Sequence, residues 1–148
     1  MEAIILIGIQ ASGKTTFYRE RFFHTHIRLN LDMLRTRNRE HILLQACLAA
    51  QQPFVIDNTN VLAAERKVYI DAARRAGFRV VGYFFRTEAR AAISRNAGRP
   101  GRQAIPIPGL LSTLKRLEPP SLEEGFDQLF TVEIGEAGEF VVTEVGAG

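Results

Sequence analysis

The sequence predicts a single α/β domain, in which helices flank a central, mainly parallel β-sheet. Three observations predict this fold: short apolar runs recur along the chain, helix-like stretches alternate with them, and a glycine-rich turn follows the first run. The chain has 148 residues, of which 46% are hydrophobic, as expected of one globular domain spanning 1–148. Ligands of such sheets bind at the carboxyl ends of the strands, so we expect the functional residues there.

Continuous apolar runs rich in β-branched residues predict strands that are covered on both faces. Such runs occupy 3–7, 54–56 and 80–85, and a weaker one occupies 27–30. Two later runs, 130–134 and 140–143, flank a glycine-bearing turn and predict a closing hairpin.

Amphipathic spacing and capping residues predict the helices between these strands. The predicted helices cover 14–23, 34–50, 63–76, 87–96 and 110–117. Glycines and prolines interrupt the pattern at about 96–109, around Arg99 and Arg102. This composition predicts a charged loop, or lid.

Charge is distributed unevenly along the chain. All 19 cationic residues lie at or before Arg116 together with eight acidic residues, a net charge of +11, whereas 118–148 holds the other eight acidic residues and no cation. Sixteen of the cations are Arg, whose planar guanidinium matches phosphate geometry. An Arg-rich genome would produce the same composition, so composition permits a polyphosphate ligand without identifying one.

Several classes of protein are disfavoured. No apolar run approaches the roughly 18 residues that span a bilayer, and the N-terminus lacks the pattern of a secretory signal. Cys47 is the single cysteine, and the three histidines have no zinc-finger spacing. We therefore expect a cytoplasmic protein with no membrane partner.

The segment from Gly8 to Thr15 matches the phosphate-binding pattern G-x-x-x-x-G-K-[ST] at every fixed position. It follows a predicted strand and opens a predicted helix, so backbone N–H groups and the positive helix end can hold phosphates. Lys14 would add a charge at the phosphates, and the Thr15 hydroxyl would bind Mg²⁺. The alternative is a glycine turn with a solvated lysine. The predicted ATP-binding residues of this loop are Gly8, Ala11, Ser12, Gly13, Lys14, Thr15 and Thr16.

Two acidic residues follow predicted strands. Asp57 ends the run 54–56, where it would hold Mg²⁺ through water, or alternatively start a turn and cap the next helix. Asp32 and Arg35 are three residues apart at a predicted helix start, so they share one face. They suit a general base and a clamp for an anionic acceptor, or equally an N-cap aspartate with a surface ion pair. The loop from Arg95 to Arg102 could close over the phosphates, where its arginines would stabilise the charge of the transition state. Alternatively, it is an ordinary flexible basic loop.

The joint pattern resembles the kinase domain of the polynucleotide 5′-hydroxyl kinases of phages and animals. The resemblance covers about 3–134 and rests on five segments in order: GIQASGKTTF, NLDMLR, FVIDNTN, SRNAGRPGRQAIP and LEPPSLEEGFD. It implies that ATP is the phosphate donor and that Mg²⁺ is the cofactor. The acceptor it implies is the 5′-hydroxyl end of DNA or RNA.

The resemblance also implies roles for individual residues. Asp32 corresponds to the general base on the 5′-hydroxyl, and Arg35 to the residue that grips the neighbouring acceptor phosphate. Arg95 and Arg99 correspond to lid arginines that hold the donor phosphates and the transition state. Arg66 matches a family position whose role is less clear.

The chain departs from this family in two respects. Its length leaves no room for the phosphatase or ligase domain of many members, so we expect no 3′-end healing from this segment. The usual Pro-Gly of the phosphate loop is Gln10-Ala11, which we expect the loop to tolerate because Ala adopts right-handed conformations. Two other functions remain open, namely a kinase for a small molecule or nucleoside and a nucleotide-dependent binding module without an acceptor.

Overall fold

The computed structural model describes residues 1–98 and 105–146. Within these ranges the central sheet has six strands in the order β2-β3-β1-β4-β5-β6. Strands β1 to β5 are parallel, and β6 runs antiparallel to β5. This confirms the predicted mainly parallel sheet. The strands are β1 (Glu2–Ile7), β2 (Ile27–Leu29), β3 (Phe54–Asp57), β4 (Arg79–Phe85), β5 (Gln128–Ile134) and β6 (Phe140–Glu144).

Helices cover both faces of the sheet. They are α1 (Lys14–Arg21), α2 (Leu31–Leu34), α3 (Arg37–Ala50), α4 (Ala63–Arg75), α5 (Ala89–Ala97) and α6 (Ile107–Arg116), with a 3₁₀ turn at Leu122–Glu124. On one face Ile5 and Ile56 pack with Leu44 and Ile70, and on the other Leu6 packs with residues of α1. Burial on both faces explains why these strands read as continuous apolar runs. Within the described ranges, no helix is long and apolar enough to cross a membrane.

The register brings three strand ends to one edge of the sheet. Leu6 of β1 pairs with Asp57 of β3, and Leu29 of β2 pairs with Ile56. The segments that follow these strands therefore start side by side. They are the phosphate loop, the turn after Asp57 and the start of α2.

The helix predicted over 34–50 is wrong at its N-terminal end. The structure ends α2 at Leu34, places Arg35 at φ +77°, and starts α3 at Arg37. Thr36 is the N-cap of α3, and its hydroxyl accepts a hydrogen bond from the Arg39 N–H. A threonine cap satisfies one of the free N–H groups of a helix start, which makes a new helix at Thr36 favourable.

The C-terminal hairpin supports the phosphate loop. The Phe140 ring of β6 lies edge-on to Phe17 of α1 at 5.2 Å between centroids. Gly13 adopts φ +96°, and a Cβ at this position would lie 3.2 Å from Phe140 Cε1. Only glycine suits both the left-handed backbone and this close approach. The predicted hairpin is thus confirmed, and its acidic segment is part of the sheet.

The predicted lid over 96–109 is partly helical. Helix α5 extends to Ala97 and α6 begins at Ile107, so the ends of the predicted range belong to helices. Arg99 and Arg102 lie outside the described residues. Asn96 joins the two sides of this segment, because its amide bonds both the N–H and the carbonyl of Ile105.

Candidate functional site

The phosphate loop wraps around the ammonium group of Lys14. Nζ of Lys14 donates to the carbonyls of Gly8 and Ile9, both at 2.8 Å, and the side chain is only 8% exposed. The Gly8 N–H donates to the Thr59 carbonyl at 2.9 Å, which ties the loop to the turn after β3. Lys14 is thus held at the base of the loop, where it can meet an incoming phosphate.

Ala11 corrects one expectation about this loop. We expected a right-handed backbone, whereas Ala11 adopts φ +60°, in the left-handed region. That conformation costs a residue with a Cβ about 1–2 kcal/mol, and glycine adopts it freely. The Ala11 carbonyl accepts a hydrogen bond from Arg95 Nε at 2.8 Å. The contact with α5 therefore helps to hold a strained loop residue in place.

Thr15 and Asp57, the two predicted magnesium ligands, are brought together. The Thr15 hydroxyl donates to Asp57 Oδ2 at 3.2 Å, and Asp57 is 2% exposed. The Asp57 side chain does not cap the following helix, whose N-cap is Leu62. The geometry therefore favours the interpretation of Asp57 as a site residue beside the phosphate loop over its interpretation as a helix cap.

The donor set at this point fits a hard divalent cation. A carboxylate and a hydroxyl are oxygen ligands of the kind that Mg²⁺ prefers. A positive group already touches both, because the Arg28 guanidinium binds Asp57 Oδ2 at 2.8 Å and the Thr15 hydroxyl at 3.4 Å. Arg28 is a site residue that the sequence analysis missed. The one sign of this role in the sequence is that Arg28 is a cationic residue inside a short apolar strand.

Two asparagines connect the turn that holds Asp57 to helix α2. Asn30 is the N-cap of α2, where its side chain accepts from the Met33 N–H and donates to the Asp57 carbonyl at 2.6 Å. Asn58 accepts a hydrogen bond from the Leu31 N–H at 2.9 Å. The start of α2 is therefore fastened to the turn after β3. Asn30, not an aspartate, is the cap of this helix.

A buried polar cluster holds Asn58. Its amide donates to Glu40 Oε2 at 2.9 Å, and the Tyr69 hydroxyl donates to Glu40 Oε1 at 2.7 Å. Burial raises the pKa of Tyr69 well above its ordinary value, and the hydrogen bond to Glu40 raises it further. Arg37 adds a donor to the Tyr69 hydroxyl at 3.0 Å. The sequence analysis missed this cluster because its members come from three separate segments.

Asp32 and Arg35 lie on the open side of the same edge. Both side chains are exposed, and within the described part of the chain no ion pair joins them. Arg37 and Arg39 are exposed as well, so three arginines occur within five residues of α2 and α3. Arg37 also pairs with Glu40 at 3.5 Å and with Glu65 at 3.6 Å. The segment that follows Asp32 is thus rich in accessible arginines.

A cleft adjoins the phosphate loop on the side away from α2. Its volume is about 470 Å³, and Ser12 and Arg95 line its inner end. Phe84, Leu117 and Val132 supply apolar walls. Partial burial lowers the pKa of Arg95 below its ordinary value. Of the two predicted lid arginines, Arg95 therefore reaches the phosphate loop, and Arg99 lies outside the described residues.

Arg66 has a structural position behind the site. The side chain is fully buried, and its guanidinium binds Glu124 at 2.7 and 3.1 Å and the Asn60 carbonyl at 2.8 Å. Asn60 in turn donates to the Leu6 carbonyl at 2.7 Å. Arg66 therefore ties the acidic C-terminal segment to the turn that follows Asp57.

The model of one protein family, described as an AAA domain, matches residues 33–120, more than half of the chain. This match includes Asp57 and begins after the phosphate loop. The chain is also 27% identical over 129 residues to the bifunctional polynucleotide phosphatase/kinase of Schizosaccharomyces pombe. That alignment covers 84% of this chain and 32% of the relative, so the chain spans about a third of the length of the curated relative it matches.

Solved structures with the same fold include P-loop kinases. A gluconokinase from Sinorhizobium meliloti 1021 superposes with a TM-score of 0.64 at 18% identity, over 91% of this chain and 83% of that one. Kti12 of Chaetomium thermophilum in complex with ADP-AlF3 superposes with a TM-score of 0.63 at 18% identity, over 92% of each chain. These similarities establish the P-loop kinase fold of the domain.

Proposed function

The chain belongs to the AAA domain family, and from this premise we propose that it is an ATP-dependent phosphotransferase whose acceptor is the 5′-hydroxyl end of DNA or RNA. The observation that carries the proposal is the position of Asp32. It is an exposed carboxylate on a helix that is fastened to the Asp57 turn, and three exposed arginines follow it within seven residues of the chain.

The donor side of the proposed site consists of the phosphate loop and the adjoining cleft. The backbone N–H groups of the loop, the start of α1 and Lys14 are the groups that would hold the β- and γ-phosphates of ATP. The cleft of about 470 Å³ falls in the range of small-molecule sites, and its position beside Ser12 and Arg95 suits the rest of the nucleotide. Thr15 and Asp57 would hold Mg²⁺, which neutralises charge on the phosphates when it is bound.

The acceptor side supports a polyanionic acceptor. Arg35, Arg37 and Arg39 are exposed beside Asp32, and arginine is the side chain that binds phosphate in a bidentate manner. A nucleic acid end presents a hydroxyl next to a phosphate. Asp32 would meet the hydroxyl, and Arg35 would meet the neighbouring phosphate. The similarity to a polynucleotide phosphatase/kinase agrees with this acceptor.

The proposed reaction is a direct transfer. Asp32 accepts the proton of the 5′-hydroxyl while the hydroxyl oxygen forms a bond to the γ-phosphorus. The bond from that phosphorus to the β–γ bridging oxygen breaks, and ADP leaves with the bonding electron pair. Lys14 and Arg95 stabilise the charge on the phosphates, so catalysis depends chiefly on positioning and electrostatics.

The test is transfer of labelled γ-phosphate from ATP to matched DNA and RNA oligonucleotides with a 5′-hydroxyl or a 5′-phosphate. We expect label only on the 5′-hydroxyl strands, and the DNA-to-RNA ratio identifies the preferred acceptor. Absence of label on both the DNA and the RNA 5′-hydroxyl strands would overturn the proposed acceptor. Transfer to a sugar or nucleoside instead would identify a small-molecule kinase, and ATP binding without transfer to any hydroxyl would identify a binding module.

A further inference from the structure

Arg28 occupies an unexpected position in the site. It lies on β2, its side chain is 25% exposed, and its Nε binds Asp57 Oδ2 at 2.8 Å. Its terminal nitrogen lies 3.4 Å from the Thr15 hydroxyl. One guanidinium therefore contacts both oxygen groups that the proposed function assigns to the metal.

We propose that Arg28 is a resident cation of the metal site, which holds Asp57 and Thr15 until the nucleotide delivers the divalent ion. The inference rests on the proposed function for the identity of the metal ligands. It assigns Arg28 as a positioning residue that makes metal binding conditional on nucleotide.

The first argument is the burial of Asp57. The carboxylate is 2% exposed, and a buried charge without a partner is strongly destabilising. Arg28 compensates this charge through its contact at 2.8 Å. A divalent ion that binds Asp57 Oδ2 must displace the guanidinium, because two cations cannot share the same oxygen without strong repulsion.

The second argument is the small number of protein ligands. Mg²⁺ requires six oxygen ligands in octahedral geometry. Here the protein offers one carboxylate and one hydroxyl, and no group of three or more His, Cys, Asp or Glu side chains in 1–98 and 105–146 is arranged to hold a metal. Phosphate oxygens add both ligands and negative charge. The nucleotide therefore shifts the competition from Arg28 to the metal.

The third argument is the place of Arg28 in the sheet. Arg28 pairs with Val55 across the β2–β3 register, two residues before Asp57. Arg28 on β2 and Asp57 on β3 belong to neighbouring strands of the same sheet. The sheet therefore holds the Arg28 guanidinium at the proposed metal site, and no loop has to move to bring it there. An arginine on a mobile loop would leave the site at little cost, whereas this one stays until a cation replaces it.

The experiment measures Mn²⁺ binding to the full chain without nucleotide, by the loss of the free Mn²⁺ signal in electron paramagnetic resonance. We compare the wild type with Arg28→Gln, which removes the resident cation, and with Arg19→Gln, which removes an exposed arginine of α1. We expect Arg28→Gln to bind Mn²⁺ at least about tenfold more tightly, a difference of about 1.4 kcal/mol, and Arg19→Gln to match the wild type.

Two further variants guard against misinterpretation. The double variant Arg28→Gln with Asp57→Asn should lose the gain, since the gain requires the freed carboxylate. Arg28→Lys keeps a cation and should stay near the wild-type Mn²⁺ affinity. If Arg28→Gln folds poorly, which circular dichroism reports, Arg28→Met removes the same charge and should show the same gain. Mn²⁺ should also raise the Tm of Arg28→Gln more than that of the wild type.

Three results would overturn the inference. They are equal Mn²⁺ affinity of the wild type and Arg28→Gln, absence of binding by both, and a gain that persists in the double variant. None of these measurements involves phosphate transfer. Failure of the proposed function in the oligonucleotide assay is therefore distinguishable from failure of this inference.

Discussion

The donor side and the acceptor side of the site are built differently. On the donor side Lys14 and Asp57 are buried, and each is held by hydrogen bonds from or to several neighbours. On the proposed acceptor side Asp32 is exposed on α2, a helix of four residues that is fastened at its N-terminal end, and Arg35 is exposed directly after this helix.

Under the proposed function, this difference separates phosphate binding from the choice of acceptor. The fold holds the proposed donor groups in place by burial and hydrogen bonds, so it prepares the phosphate site. The acceptor groups lie on a short, open segment with little packing to restrict what approaches. A fold shared with a gluconokinase can therefore keep its donor side while its acceptor side changes. Variants of the two sides should differ accordingly.

The largest expected effect concerns the proposed donor-side lid. Arg99→Ala should lower the rate of phosphate transfer by about 10³–10⁵, because an arginine finger stabilises charge that develops only in the transition state. Rapid-quench measurement of labelled product checks this. Arg90→Ala removes an exposed arginine of α5 and is the matched control. A loss below about threefold would remove Arg99 from the mechanism.

A smaller effect is expected for the proposed base. Asp32→Asn should lower kcat by about 10²–10⁴ and leave ATP binding unchanged, because the amide cannot accept the hydroxyl proton. Transfer kinetics together with titration of a fluorescent ATP analogue check this. A parallel loss of ATP affinity would contradict the separation of the two sides.

Arg35→Ala should act on acceptor binding. We expect the acceptor KM to rise by about 10–100-fold, the value of a hydrogen bond to a charged group, with a much smaller change in kcat. Arg75→Ala is the control, since it removes an exposed arginine of α4 that lies outside the Arg35–Arg39 segment. If the acceptor KM is the same in Arg35→Ala and the wild type, the clamp assignment is wrong.

The smallest expected effect is on stability. Ala11→Gly should increase the free energy of unfolding by less than about 1 kcal/mol, because relief of the left-handed strain exceeds the added freedom of the unfolded chain. Urea denaturation monitored by circular dichroism measures the change. Ala97→Gly near the end of α5 should instead lower the free energy of unfolding, since Ala97 has a helical backbone in which glycine is unfavourable. Destabilisation by Ala11→Gly would show that the loop tolerates alanine without cost.

Sequence patterns predicted the sheet and the phosphate loop because both depend on local signals. The apolar runs 3–7 and 54–56 correspond to β1 and β3, and the G-x-x-x-x-G-K-[ST] pattern is specific by itself. The break between α2 and α3 was missed, because the prediction took Leu34 as the first apolar residue of one helix although the next apolar residue is Ile42. Thr36, a preferred N-cap residue, was the available sign of a helix start.

Contacts between distant segments could not be predicted in the same way. Glu40, Asn58 and Tyr69 come from three elements, and each alone has the ordinary features of a helix or turn residue. Arg66 matched a family position, but its buried pairing with Glu124 involves a partner 58 residues away. Sequence spacing carries no information on such pairs until the chain is folded.

The sequence by itself determined the α/β class, the phosphate-binding loop and the order of the charged segments. These features depend on local propensity, hydrophobic periodicity and short motifs, which involve only residues that are close together in the chain. Only the tertiary structure decided that Arg28 contacts Asp57 and Thr15, and that Asn58 fastens α2 to the turn after β3. The physical reason is the sheet register. It aligns the ends of β2, β3 and β1 at one edge, and so makes neighbours of residues that are far apart in the chain.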